Sequence, residues 1–380
     1  MTAPIIEKKE ALRTDEWTIN MGPHHPSCHG VLRLELTTDG EIVSNARPTL
    51  GYLHRGLEKI AERNVWGSFM PFTDRLDYLA GMNCNCAYAW AVEKLAQIEI
   101  PERAEWIRVL VCELNRISSH LIGWGSFTAD MGAFTPFVYA IREREWVNDL
   151  FEMLCGQRLT YNFARIGGVS HDLPPGFLEK TKEFCDYFEP LLDEYNNLIS
   201  YNKIFVHRLK NLAVISGKDA LEWGLTGPNL RGSGVNWDIR KDDPYSVYPK
   251  LDFKVILGHA DVGTLGDCFD RYLCRIDEMR ESVKIVRQVI AQIPDGPVMA
   301  KVPRVFKPPV GECYFRAENP RGETGFYLIS DGGTNPYRCK IRTGSYMSMN
   351  IFEKVSRGLM ISDIPALIGS FDLILPETDR

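Results

Sequence analysis

Residues 101–121 read PERAEWIRVLVCELNRISSHL, and their apolar side chains recur at helical spacing. The recurring positions are Ala104, Ile107, Val111, Leu114, Ile117 and Leu121. Residues three and four apart share one face of a helix, so this stripe predicts a long helix with one buried side. Pro101 suits a first-turn position, where a missing N–H costs little. The stretch therefore predicts a helical core.

Three further segments show the same period. A short one carries Leu53, Leu57, Ile60 and Ala61; another carries Phe137, Ile141, Val147, Leu150, Phe151 and Leu154; the longest carries Phe269, Tyr272, Ile276, Met279, Val283, Val286, Ile290 and Ile293. Pro294-Asp295-Gly296 follows the longest segment and is a strong helix breaker. The middle of the chain is therefore predicted to be helical.

Both ends of the chain carry strand patterns instead. Residues 30–43 alternate apolar and polar side chains around a turn at Asp39-Gly40, which is typical of a hairpin. Residues 312–333, ECYFRAENPRGETGFYLISDGG, form two apolar-aromatic runs joined by Pro-Arg-Gly. A short helix and an extended tail are expected after them.

The patterns predict an α+β chain that is mainly α-helical. Its parts are a β region over 1–50, a helical core over 51–305, and a β region with a tail over 306–380. No repeat or long linker separates them, so we expect one compact unit.

Composition and charge narrow the function classes. The 380 residues are 44% apolar and 25% charged, which allows a large buried core. The formal net charge of −6 does not favour a nucleic-acid binder. No apolar run approaches the roughly 20 residues that span a bilayer, and the charged start is unlike a signal peptide. We expect a cytosolic chain, or one held at the cytosolic side of a membrane by partners.

The ten cysteines include no C-x-x-C pair. In a chain without an export signal, scattered cysteines predict reduced and mostly buried thiols rather than disulfides or a metal site.

Residues 22–30, GPHHPSCHG, place three of the eight histidines within six residues. Proline and glycine make this a rigid turn before a strand, and such loops often carry function. An ordinary surface loop is an equally good interpretation of the cluster alone. A metal site has little support, because no cysteine or carboxylate stands at a ligand spacing.

Two polar segments have both a functional and a structural interpretation. In Asp74-Arg75-Leu76-Asp77-Tyr78, the acids could simply cap a helix and the tyrosine could pack in the core. Glu113 borders an apolar helix face, where burial could raise its pKa and give it a proton-handling role. Alternatively, Glu113 forms an ion pair with Arg116 one turn away.

Ten segments together resemble the quinone-site, D-type subunit of complex I, the NADH–quinone oxidoreductase. They are GPHHPSCHGVLRL, GYLHRGLEKIAE, TDRLDYLAGM, ELNRISSHL, TPFVYAIREREW, RIGGVSHDLP, GLTGPNLRGSGVNWDIRKDDPY, EMRESVKI, ENPRGETGFYLISDGG and FDLILPETDR. They occur in order across nearly the whole chain. The resemblance implies a fold like the large subunit of nickel–iron hydrogenases, without nickel, because the two C-x-x-C motifs that bind it are missing.

The resemblance also implies site residues. His29 and Tyr78 match the family's two hydrogen-bond partners of the quinone carbonyls, and Asp130 matches the acid that pairs with the histidine. The residues expected on the cofactor side are His25, Arg75, Glu113 and His171. Of these, Arg75 and His171 match residues beside the terminal iron–sulfur cluster of a partner subunit.

This sequence departs from the family at three places. Cys28 stands where threonine is common, Ser170 stands where some relatives have histidine, and Leu375-Pro376 replaces a glycine-bearing tail. The second departure leaves open whether Ser170 or His171 tunes the cluster.

The implied assembly is a peripheral arm on the cytoplasmic side of the membrane. Quinone is the implied substrate, and no cofactor is expected on this chain itself. The implied partners are the iron–sulfur subunit, a C-type subunit and the membrane-arm subunit with the quinone channel; no nucleic acid is expected. The alternatives are the same subunit in a ferredoxin- or other carrier-driven quinone oxidoreductase, a structural scaffold, and a metal-free hydrogenase relative.

Overall fold

The computed structural model describes residues 6–8 and 16–380. Its first element group is an antiparallel sheet in the order β1-β2-β3-β4. The strands are β1 (Ile6–Lys8), β2 (Glu16–Met21), β3 (Arg33–Asp39) and β4 (Ile42–Thr49). Leu34 and Leu36 of β3 point into the core, so the predicted alternation and hairpin are confirmed. The turn lies at Gly40-Glu41, one residue beyond the predicted position, and Gly40 takes a positive φ of 62° there.

Helices dominate the middle of the chain, and the prediction of a mainly helical α+β protein is confirmed. They are α1 (Leu57–Arg63), α2 (Met70–Thr73), α3 (Gly81–Ala96), α4 (Glu102–Asp130), α5 (Phe134–Cys155), α6 (Phe177–Tyr195), α7 (Lys203–Leu209), α8 (Gly217–Glu222), α9 (Pro228–Arg231), α10 (Ile239–Asp242) and α11 (Cys268–Gln292). A small hairpin, β5 (Ala164–Arg165) and β6 (Gly168–Val169), lies between α5 and α6.

Helix α4 is the central helix of the core. It packs against α3, α5 and α11, and it is buried around most of its circumference. The sequence predicted burial of one face only. The opposite face is buried as well because its polar side chains, among them Arg108, Glu113 and Arg116, find charged partners inside the protein. Buried charges require such partners.

The chain ends in a second sheet followed by short helices. The elements are β7 (Gly311–Asn319), β8 (Gly322–Ser330), β9 (Arg338–Arg342), α12 (Gly344–Asn350), α13 (Phe352–Ser356), α14 (Ile364–Phe371) and α15 (Leu375–Asp379). The predicted β7–β8 hairpin is confirmed. The expected extended tail is wrong: α14 and α15 are helical and mostly buried, and α14 packs its apolar side chains on α4 and α11.

All ten cysteines are free and eight of them are buried, as the sequence predicted. Within the part of the chain that the structure describes, no helix has the length and hydropathy of a bilayer-spanning segment.

Candidate functional site

His29 lies at the end of the 3-10 turn 26–28 and pairs with a distant acid. Its Nε2 is 2.6 Å from Oδ2 of Asp130, and the two side chains are 15% and 13% exposed. Asp130 is the last residue of α4, where the negative end of the helix dipole disfavours an anion and favours a cation. The Asp130 carboxylate and the carbonyl end of α4 therefore both lie on the Nε2 side of His29. Among the described residues, Nδ1 of His29 has no hydrogen-bond partner.

A hydrogen bond to His25 and the buried side chain of Cys28 fix the loop around His29. His25 is exposed, and its Nδ1 accepts a hydrogen bond from the backbone N–H of Ser27 at 3.3 Å, which caps the turn. Cys28 is fully buried, and burial together with Asp130 raises its pKa to about 11. Cys28 therefore packs as a neutral apolar group beside His29.

Tyr78 lies in the bend between α2 and α3 and is partly buried. Burial raises the pKa of its hydroxyl, Asp77 and Asp372 raise it further, and Arg321 opposes them. Within the described chain, this hydroxyl has no hydrogen-bond partner. Tyr78 thus offers a protonated phenol with a free donor.

Asp372 is the neighbour that His29 and Tyr78 share. Burial would raise the pKa of Asp372, but Arg321 and Arg275 outweigh that effect and hold it below its ordinary value. His120 and His29 lower it further. Asp372 in turn acts on the pKa of Tyr78. We call His29, Asp130, Tyr78, Arg321 and Asp372 the inner site.

The C-terminal helices fit tightly into this region. Asp372 has a positive φ of 52° after α14, and a Cβ added to Gly123 of α4 would lie 2.8 Å from its Oδ1. Any side chain at 123 would therefore force the Asp372 carboxylate to shift. Leu375 lies 3.3 Å from a Cβ built on Gly30, so α15 also contacts the loop that carries His29. The tail that was expected to be extended therefore completes the inner site.

A second site lies on the surface and includes Arg75, which is three positions before Tyr78 in the sequence. It is a polar pocket of about 480 Å³ lined by Arg75, Gln157, Thr160, Asn162, Arg165, Ser170 and His171, among others. Arg75, Ser170 and His171 are exposed. We call it the rim pocket. Residues three apart are separated by at most roughly 11 Å between Cα atoms, so Arg75 places the rim pocket beside the inner site.

His171 is tied back to its own chain. Its Nε2 hydrogen-bonds the carbonyl oxygen of Leu154, and its Nδ1 lies 2.9 Å from the Ser170 hydroxyl. Ser170 and His171 therefore act as one hydrogen-bonded unit at the rim pocket.

Asp74 and the buried ion pair between Arg108 and Glu93 fix the backbone segments that line the rim pocket. Asp74 accepts a hydrogen bond from the N–H of Asn162 at 2.7 Å, and burial raises its pKa to about 7. Arg108 pairs with Glu93 at 2.6 Å and donates to the carbonyl oxygens of Arg165 and Gly168, both at 2.8 Å. These contacts fix the β5–β6 hairpin that leads into Ser170 and His171.

An apolar groove adjoins the rim pocket through Arg165 and Ser170. Its volume is about 820 Å³, and its apolar lining includes Val65, Met70, Ile166, Met299, Val305 and Phe306. Val65 and Val305 are 45% and 66% exposed. A group of exposed apolar side chains like this one is typical of a surface that another apolar group covers.

The structure separates the two interpretations of Glu113. It lies fully buried with Arg116 at 3.2 Å and Arg240 at 3.1 Å. Burial would raise its pKa, but the two arginines hold it below the ordinary value. The expectation of a raised pKa is therefore wrong, and the alternative of an ion pair with Arg116 is confirmed. Tyr248 and Ser282 also donate to Glu113, each at 2.7 Å.

Residues 6–8 and 16–380 contain no group of three His, Cys, Asp or Glu side chains that could hold a metal ion. Sequence reasoning named His29, Tyr78 and Asp130 but missed Arg321, Asp372 and Arg165. The Pro-Arg-Gly pattern predicts a turn, where charged side chains are usually exposed, and carries no signal that Arg321 is buried with charged partners.

Comparisons with known proteins show which family the chain resembles. The model of the family described as respiratory-chain NADH dehydrogenase, 49 Kd subunit, matches residues 130–309 and 301–380. The D 2 subunit of NADH-quinone oxidoreductase from Sorangium cellulosum is 53% identical over 369 residues, covering 96% of this chain and 95% of its own length. The chain belongs to this family.

Other family members are similar over their full length. The D 1 subunit of NADH-quinone oxidoreductase from an Anaeromyxobacter species (strain K) is 52% identical over 99% of both chains. The corresponding D subunit of Bacillus cereus is 48% identical over 97% of this chain and all of its own. The family resemblance inferred from the ten segments is confirmed, and with it the role of an oxidoreductase subunit.

Proposed function

We propose that this chain forms the quinone-reducing pocket of an NADH–quinone oxidoreductase, as a peripheral-arm subunit on the cytoplasmic side of the membrane. One observation carries the proposal: His29 and Tyr78, 49 positions apart, share Asp372 as an electrostatic neighbour, and within the described residues Nδ1 of His29 and the Tyr78 hydroxyl have no hydrogen-bond partner. A quinone has two carbonyl oxygens and needs a donor at each.

Reduction of a quinone to a quinol takes two electrons and two protons. His29 supplies one proton from Nδ1, because Nε2 is engaged by Asp130. An imidazole exchanges protons near neutral pH, which suits this task. Asp130 holds the ring in one orientation and stabilises its protonated form.

Tyr78 supplies the second proton. Burial raises the pKa of its hydroxyl, so the phenol stays protonated until the substrate oxygen becomes strongly basic. A dry site strengthens that hydrogen bond. Arg321 limits the rise, because its positive charge favours the phenolate left after transfer.

An iron–sulfur cluster held by a partner subunit at the rim pocket would supply the electrons. Arg75 and Arg165 provide positive charge there, and the apolar groove beside them offers a surface on which that subunit can dock. The other proposed partners are a C-type subunit and the membrane-arm subunit that carries the quinone channel. Proton loss from His29 leaves Asp130 without its cation, and we propose that the resulting loop shift couples reduction to the membrane arm.

The proposed fold ancestry is that of a nickel–iron hydrogenase large subunit whose metal site became the quinone pocket. Support comes from the mainly helical core with sheets at both ends. Without a C-x-x-C pair, the chain has no thiolate set of the kind that holds nickel. A ferredoxin is the alternative electron donor to NADH, and the activity of the purified complex with each donor separates the two.

Photoaffinity labelling tests the pocket. The purified complex is irradiated with an azido-quinone, with and without excess unlabelled quinone, and the labelled peptides are mapped. We expect competed label on peptides that contain Tyr78 or the 22–30 loop. A structural scaffold predicts no competed label on this chain.

A further inference from the structure

Arg321 occupies the turn between β7 and β8, yet it is only 1% exposed. Its guanidinium makes four hydrogen bonds. Nη1 donates to Asp77 Oδ2 at 2.7 Å and to Ser119 Oγ at 2.8 Å, while Nε donates to the Asp372 carbonyl at 2.9 Å and Nη2 to Asp372 Oδ1 at 3.2 Å. One side chain thus joins three segments that are far apart in sequence.

The contact with Asp77 bears on Tyr78. While Oδ2 of Asp77 binds Arg321, its Oδ1 accepts the backbone N–H groups of Leu79 and Ala80 at 3.1 and 3.3 Å. These bonds close the turn across residue 78. A displacement of Asp77 would therefore rotate the backbone that carries the phenol.

The contact with Asp372 bears on the His29 side. Arg321 binds both the backbone and the carboxylate of Asp372, and Asp372 lies against Gly123 of α4, the helix that ends in Asp130. The planar guanidinium of Arg321 thus connects the turn that carries Tyr78 with Asp372, the residue that neighbours His29.

We propose that Arg321 is a positioning residue that sets the distance between the Tyr78 hydroxyl and the His29 side of the pocket. This inference rests on the proposed quinone function. Arg321 acts through Asp77 and Asp372 and needs no contact with the substrate. A lysine keeps the charge but is a point donor, so it cannot span both carboxylates as a planar fork does.

The test is a double-mutant cycle in the assembled complex. Quinone reduction is measured for Arg321→Lys, for Tyr78→Phe and for the double variant, with assembly and NADH-driven cluster reduction checked in each. Arg316→Lys on the same hairpin is the matched control, because Arg316 is 30% exposed and pairs with Asp243 outside the inner site. We expect Arg321→Lys to lose about 10- to 100-fold in turnover, since a shift of about 1 Å in a reacting group costs that much.

The cycle distinguishes positioning from general structural support. If Arg321 acts through Tyr78, the double variant is no slower than the slower single variant. Losses that multiply, or normal turnover in Arg321→Lys while Tyr78→Phe is slow, overturn this inference and leave the quinone function standing. Normal turnover in Tyr78→Phe overturns both.

A milder variant decides the question if Arg321→Lys does not assemble. Ser119→Ala removes one of the four hydrogen bonds and keeps the ion pairs. We expect a loss of about 2- to 5-fold, as for one hydrogen bond, and no further loss when it is combined with Tyr78→Phe. The same loss in the Tyr78→Phe background would contradict the proposal.

Discussion

The inner site and the rim pocket lie close together but are built in opposite ways. In the inner site, largely buried side chains from distant segments are joined by ion pairs such as Arg321–Asp77 and His29–Asp130. At the rim pocket, exposed side chains are held mainly through backbone contacts, as in the bonds from Arg108 to the β5–β6 hairpin. Proton transfer gains from burial because charges interact more strongly away from water. Electron entry needs a surface that a partner can reach.

Residues 74–78 connect the two sites. Arg75 points to the rim pocket, Asp77 binds Arg321, and Tyr78 belongs to the inner site. A change on one side should therefore affect proton chemistry and a change on the other should affect electron transfer. Variants that separate these two readouts test the comparison.

The largest expected effect is at Tyr78. Tyr78→Phe keeps the ring and removes the donor, so quinone turnover should fall by about 100-fold or more, as for the loss of a general acid. Cluster reduction by NADH should remain normal, because the rim pocket is unchanged. Stopped-flow reduction and steady-state turnover check both, with the exposed Tyr201→Phe as control. Normal turnover would remove Tyr78 from the mechanism.

Asp130→Asn should have the next largest effect. The change removes the anion that stabilises protonated His29, so turnover should fall by about 10-fold. Steady-state turnover of the purified complex measures this, and Asp149→Asn, which is exposed on α5, is the control. Turnover equal to wild type in Asp130→Asn would contradict the role of the pair.

Arg75→Gln tests the other side of the comparison. Loss of a positive charge near the cluster disfavours its reduced form, so the reduction potential should fall by some tens of mV. A redox titration followed by electron paramagnetic resonance measures the shift. Arg357→Gln, 58% exposed and paired with Glu353, should leave the potential unchanged. A potential equal to wild type in Arg75→Gln would show that the cluster lies elsewhere.

The smallest effect concerns stability and pH. Burial raises the pKa of Glu377 from 4.5 to about 8, and Asp77 adds to the rise. The folded chain then keeps a proton that the unfolded chain loses, so stability falls as pH rises from about 4.5 through 8. Glu377→Gln removes this loss. Its melting temperature should exceed wild type by a few degrees at pH 9 and show little gain at pH 5.

Thermal unfolding of the purified complex at both pH values measures this difference. Glu222→Gln, 58% exposed on α8, should melt like wild type at both. A gain for Glu377→Gln that is equal at pH 5 and pH 9 would show that Glu377 does not carry the proton.

Local patterns predicted the elements but not how the inner site is completed. Apolar spacing correctly predicted α4, α11 and the β7–β8 hairpin, because burial sets that spacing. The resemblance to the family predicted His29, Tyr78 and Asp130 as residues of one site. The segment FDLILPETDR has no local pattern that indicates where Asp372, between α14 and α15, would lie. In the structure it lies beside Arg321. The raised pKa expected for Glu113 failed because Arg240, 127 positions away, pairs with it.

The central claim is that His29 and Tyr78 hold the same substrate molecule. The most direct test is an experimental structure of the complex with a short-chain quinone bound. We predict one carbonyl oxygen within about 3 Å of the Tyr78 hydroxyl and the other within about 3 Å of Nδ1 of His29. A quinone bound only in the apolar groove, in contact with neither side chain, would contradict the account.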